Sequence, residues 1–228
     1  MSNLRTGTYG QYYGSFWGAS STITSAQTQV NAVYIYSALI AAGWTAEAIA
    51  GTLGNMEWES GLNPGRWEGD AVGSGPGYGL VQWTPYTNYT NWVTNQGLSD
   101  PSTMDNNISR ILWELANNQQ YIPTSGYPES FREFSKSTKS PYYLACAFAW
   151  NYERSAVVLW GTEAEREALR RNRGGSAEKW YTYLTGQTPT PPDPGGGSDP
   201  GGSGGIVTAR KRTGYNFVLF NRRRKFFT

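Results

Sequence analysis

A glycine-rich interruption between helical stretches does most to limit what this chain can fold into. Residues 61–90 hold Gly65, Gly69, Gly73, Gly75, Gly77 and Gly79 with Pro64 and Pro76. That density excludes a continuous helix and reads as a long loop with at most a short hairpin. Helical spacing lies on both sides. Val30, Val33 and Ile40 suit a helix over Ser25–Ala42, stopped by Gly43. Thr45 then caps a second helix with Glu47 in its first turn, running through about Trp58 and ended by Gly61 and Pro64. Ile108, Ile111, Leu112 and Leu115 give helical spacing over 104–120. Ser140-Pro141 is a capping serine followed by proline at the first helical position, and the helix it opens carries Leu144, Phe148 and Tyr152. Thr162 and Glu165 fit a capping box; the helix they open is expected to break at Gly174-Gly175 and continue to Leu184. The fold expected is mainly α, with a Gly-rich loop or small hairpin at a cleft.

This body ends at a boundary. Residues 188–205 (T-P-T-P-P-D-P-G-G-G-S-D-P-G-G-S-G-G) form a low-complexity linker, stiff where proline dominates and flexible where glycine does. The expected organisation is an aromatic arm over 1–23, a folded domain over 24–187, the linker, and a basic aromatic segment over 206–228. That last segment carries seven Lys/Arg and no acid, whereas residues 1–187 carry twelve against fifteen acids. Its pattern suits two short strands around Thr213-Gly214. Some 23 residues cannot fold alone, so it is expected to order on a partner. No apolar run reaches the ~20 residues of a membrane span. The Gly/Tyr/Ser-rich N-terminus has no basic region followed by an apolar one, so no secretory signal is expected and synthesis is expected in a cytoplasm.

The chain has no histidine. Ser-His-Asp and Cys-His triads are therefore excluded, as are histidine metal sites. The one cysteine, Cys146, sits in an apolar helical stretch and reads as core. Chemistry is left to 17 carboxylates, and neither a cofactor nor a metal is expected. Ten tryptophans and sixteen tyrosines exceed what such a core needs and favour a stacking surface for sugars or a partner.

Glu59 ends the second helix and faces the loop. A glycosidic bond breaks when an acid protonates the leaving oxygen and the oxocarbenium-like transition state is stabilised. Such an acid must keep its proton near neutral pH, which takes partial burial beside apolar groups; Met56, Trp58 and Leu62 flank Glu59. These arguments do not separate Glu59 from Glu57. A second carboxylate is sought in the loop, where Asp70 is placed ahead of Glu68 because its glycine neighbours permit close approach to a ligand. Gln82 suits a hydrogen bond to a ligand or a water, Trp83 and Trp67 suit stacking on sugar faces, and Tyr78 and Tyr152 suit cleft hydroxyls. Each also has a plain packing role. Glu153-Arg154 reads as a structural ion pair.

G-N-M-E-W-E-S-G-L-N-P (54–64) resembles the helix-to-loop motif of the phage tail lysozyme family. It is also similar to the E-S-G-F-N-P motif of goose-type lysozymes and soluble lytic transglycosylases. G-Y-G-L-V-Q-W (77–83), A-W-N-Y-E-R (149–154) and E-K-W-Y-T-Y-L (178–184) extend the resemblance over about residues 25–185. It implies that Glu59, directly before Ser-Gly, is the catalytic acid; that the fold is lysozyme-like; and that the substrate is peptidoglycan, cut at the β-1,4 link between N-acetylmuramic acid and N-acetylglucosamine. Some of these enzymes work with one essential glutamate, so the second carboxylate is dispensable on that reading.

The leading expectation is an enzyme made in the host cytoplasm and carried on a phage tail tip, opening the wall during genome delivery. A free endolysin and a non-catalytic cell-wall-binding or structural tail subunit are the alternatives. For residues 206–228 the chemistry allows phosphates of nucleic acid, teichoic acid or lipid headgroups, or strand addition to a protein. Docking to a phage tail structural protein is the reading taken, with no nucleic acid required for activity.

Overall fold

The computed structural model describes residues 11–12 and 16–187. The linker, the basic segment with its expected strands, and part of the aromatic arm lie outside the described residues.

The domain is mainly α. The described residues form eight helices: α1 (Ser25–Ala41), α2 (Ala46–Ser60), α3 (Thr87–Asn95), α4 (Met104–Ala116), α5 (Phe131–Lys136), α6 (Pro141–Phe148), α7 (Ala156–Trp160) and α8 (Glu163–Thr185). One two-residue antiparallel pair joins β1 (Gln11–Tyr12) to β2 (Trp17–Gly18). No helix among the described residues is long and apolar enough to cross a membrane.

Helix starts follow the caps. Thr24 with Gln27, Ser130 with Glu133, and Thr162 with Glu165 each close a capping box, and the Thr45 and Ser140 side chains accept from backbone three residues on. Each such cap satisfies amide donors that the first helical turn leaves without partners.

α2 is the central helix, buried from Ala48 through Met56 and packed between α6 and α8. Glycine permits that approach. A Cβ on Gly51 would lie 2.8 Å from the Leu144 backbone of α6, and one on Gly54 would lie 2.6 Å from the Arg173 carbonyl oxygen of α8. Gly54→Val is therefore expected to wedge α2 from α8 and cost about 1–3 kcal/mol, read as a lower urea midpoint.

Three sequence expectations are corrected. α8 runs unbroken through Gly174-Gly175, because Gly174 is a contact site: a Cβ there would lie 2.2 Å from the Tyr142 ring. α1 buries Asn31, Ala32, Ile35 and Leu39, leaving Val30 and Ile40 exposed. Its face is set by Asn31, whose amide accepts from Trp17 N and donates to the Trp17 and Leu62 carbonyls. Finally, the helix opened by Pro141 gives way after Phe148 to a π-turn over Ala149–Glu153. Cys146 is buried, as expected of a core residue.

Candidate active site

The motif after α2 is built residue by residue. Ser60 donates to the Met56 and Leu80 carbonyls, at 3.1 and 2.9 Å, tying the helix end to the later Gly-Leu-Val-Gln run. Gly61 takes the left-handed conformation that caps the helix (φ 66°), and Leu62 enters the core. Asn63 donates to the Ala19 and Ser21 carbonyls and accepts from Ala19 N and Gly65 N, stapling the N-terminal arm. Asn107 of α4 holds the far side of the loop, accepting from Leu80 N and donating to the Pro64 carbonyl. Inside the loop, isolated bridges pair Trp67 with Tyr78 and Tyr78 with Trp83, the small hairpin-like pairing expected at the cleft.

Glu59 thereby stands in the last turn of α2 at the edge of a cleft of about 500 Å³. Gln82 and Trp83 line it from the loop, Arg110 from α4, and Tyr152 and Glu153 from the π-turn; Arg66 and Glu68 also line it. Glu57 is directed elsewhere. Its carboxylate accepts from Trp180 Nε1 at 3.0 Å and from Lys179, beside a separate shallow hollow. The structure thus separates two glutamates that composition left tied.

The loop candidates divide. Glu68 lines the cleft and is exposed, whereas Asp70 is outside the lining and pairs with Arg66 at 3.3 Å. Gln82 lines the cleft in a left-handed conformation (φ 51°), its Nε2 donating to the Gly79 and Arg66 carbonyls at 2.8 and 3.2 Å. Its amide oxygen is the end left to a ligand. Trp67 and Tyr78 are buried, the Trp67 ring meeting Tyr78 and Tyr86 edge-on. They hold the loop together and do not line the cleft.

Trp83 and Tyr152 line the cleft but are themselves buried, and both bind one carboxylate behind it. Glu114 Oε1 accepts from Trp83 Nε1 at 3.0 Å and from Arg110 Nε at 2.7 Å, while Oε2 accepts from the Tyr152 hydroxyl. Glu114 is 0 % exposed. Burial pushes its carboxyl up from the usual range, and the Tyr152, Arg110 and Trp83 contacts pull it back down. Trp83 also stacks on Tyr89, with centroids 4.4 Å apart. These contacts tie Trp83, Tyr152 and Arg110 into one wall of the cleft.

Two site residues were not singled out from sequence. Arg173 of α8 donates through Nη2 to Glu59 Oε1 at 2.5 Å and through Nη1 to the Asn55 carbonyl at 2.6 Å. Glu153, read from sequence as half of an ion pair with Arg154, instead turns its carboxyl into the cleft wall. Its Oε1 is inaccessible and has no hydrogen-bond partner. The π-turn makes this possible: Arg154 ends it in a left-handed conformation (φ 48°), its N–H bonded to the Ala149 carbonyl at 2.9 Å. Such turns recur at functional sites.

Burial raises the Glu153 carboxyl well above the usual carboxylate range; Glu59 adds to this, Arg173 opposes it, and Glu114 adds again. A glutamate raised in the folded state contributes most stability below its unfolded value of about 4.3, and that contribution is lost as pH rises through the folded value. Glu153→Gln is accordingly expected to raise the melting temperature, and more at pH ~8 than at pH ~4. An equal or lower melting temperature at the higher pH would contradict this.

A helical domain with a carboxylate at the end of its central helix, facing a cleft walled by a glycine-rich loop, defines a lysozyme-like protein. The chain belongs to the phage tail lysozyme family, whose model matches residues 30–184. It is also 42 % identical over 176 residues to "Morphogenesis protein 1" of Bacillus phage B103. That alignment covers 77 % of this chain and 45 % of the relative, so the chain spans about half the length of the curated protein it matches.

Proposed function

We propose that this chain is a peptidoglycan-degrading lysozyme that cleaves the β-1,4 bond between N-acetylmuramic acid and N-acetylglucosamine. The observation that carries the reading is Glu59, in the last turn of α2, lining a cleft of about 500 Å³ beside Glu68 and Gln82. In this mechanism Glu59 gives a proton to the leaving glycosidic oxygen as the bond breaks. Glu68, the loop acid that lines the cleft, faces the positive charge developing on the sugar. Gln82 offers its amide oxygen to an N-acetyl N–H, and Arg66 meets a carboxylate of the peptide stems.

We place the enzyme on the phage tail tip, where it opens the wall during genome delivery, with residues 206–228 docking it to a tail structural protein. The morphogenesis protein among its relatives favours a particle component over a free endolysin. Incubation of the purified chain with peptidoglycan is expected to release soluble muropeptides with reducing N-acetylmuramic acid ends. Products lighter by one water would make it a lytic transglycosylase, and no soluble product would leave a structural tail subunit. Probing purified virions with an antibody to this chain tests the placement: the chain is expected in the particles, and its absence would overturn the tail assignment.

A further inference from the structure

We propose that Glu153 is the proton partner of Glu59: the two carboxyls hold one proton between them, with Arg173 as their shared counter-charge. The inference rests on the glycosidase reading above and explains how Glu59 acquires the proton it must give.

Arg173 donates to Glu59 Oε1 at 2.5 Å, occupying one oxygen of that carboxyl. A leaving oxygen needs a proton at that position, so the proton has to be kept close by. Glu153 is the group built to keep it. Its carboxyl lines the same cleft, is inaccessible at Oε1, and has no hydrogen bond there. Leaving such a buried oxygen unpaired and charged is costly, while the neutral acid is tolerated. The groups acting on Glu153 are Glu59 from α2, Arg173 from α8 and Glu114 from α4, the last bonded to Arg110 of α4 and Tyr152 of the π-turn. Tyr152 and Arg110 are committed to Glu114. That leaves Arg173 as the cation acting on both Glu59 and Glu153.

Two carboxyls, one guanidinium and one proton make a neutral set, which suits a half-buried site. The transfer is balanced. The proton leaves Glu153 and arrives on Glu59, the negative charge passes from Glu59 to Glu153, and the attraction of Arg173 follows the charge. Glu59-H then protonates the glycosidic oxygen. Glu153 acts through Glu59 and is a positioning residue; it does not itself touch the sugar.

The test is the pH profile of peptidoglycan solubilisation by the full chain. Losing the second carboxylate removes a like charge that holds the last proton. Glu153→Gln is therefore expected to move the alkaline limb down by roughly one pH unit and cut the rate near neutrality about tenfold. Losing the guanidinium removes the opposing charge, so Arg173→Gln is expected to move the limb up. An unmoved limb in either folded variant, or movement of both in one direction, would overturn the proposal. Glu59→Gln separates the two readings. If it is inactive while Glu153→Gln keeps the wild-type profile, only the proton partnership fails; if it stays active, the glycosidase assignment of Glu59 fails.

Discussion

Glu59→Gln is expected to reduce peptidoglycan solubilisation about 10²–10⁴-fold, the range that a positioned general acid contributes. The amide has the shape of the carboxylic acid but no proton to give. Its carbonyl oxygen still accepts from Arg173 Nη2, the group now bonded to Glu59 Oε1. Ser60, Gly61 and Asn63, which shape the helix end, are untouched. The melting temperature should therefore hold within a few degrees while activity collapses. The neighbouring Glu57→Gln is the matched control: Glu57 is bound to Trp180 and Lys179 beside a different hollow, and activity should stay close to wild type. Comparable losses in both variants would mean that the glutamates act through folding and not through chemistry.

The largest stability loss is expected at Glu114. Alanine there strands three donors at once: the Arg110 guanidinium, the Trp83 indole N–H and the Tyr152 hydroxyl. Breaking a buried ion pair from one side typically costs about 3–5 kcal/mol, which for a domain of this size lowers the melting temperature by roughly 6–20 °C. Glu114→Gln keeps the volume and an acceptor oxygen and should lose much less. Activity should fall with Glu114→Ala even below its melting point, because Trp83 and Tyr152 line the cleft. A melting temperature within ~2 °C of wild type would show that the buried network does not hold the wall.

Much of the fold was legible where local chemistry decides it. Thr45, Ser140 and Thr162 start α2, α6 and α8 because their hydroxyls satisfy first-turn amides, and that pattern is written within four residues. α3 was not legible. Its sequence T-N-Y-T-N-W-V-T-N is poor in helix formers, and the helix exists because Tyr89, Trp92 and Val93 are buried. The glycines of α8 misled for the same reason, since the Tyr142 ring that needs Gly174 comes from another helix. At the candidate site, the Ser-Gly after Glu59 marks it only through the family resemblance, and the structure puts Glu59 on the cleft and Glu57 beside another hollow. Arg173 and Glu153 are hard to read from sequence because both come from distant chain, Arg173 bonding Glu59 across 114 residues and Glu153 lining the same cleft. One signal for Glu153 was present: an acid directly following the apolar run Ala145–Trp150 and Asn151-Tyr152, where a solvated residue is out of place.

The central claim, that Glu59 acts on a glycan held in this cleft, is tested most directly by a crystal structure of Glu59→Gln with a muropeptide containing an intact N-acetylmuramic acid–N-acetylglucosamine bond. The account predicts the sugar chain in the cleft between Gln82 and residue 59, with the glycosidic oxygen about 2.6–3.2 Å from the residue 59 amide. A glycan seated elsewhere on the domain, with the cleft empty, would contradict it.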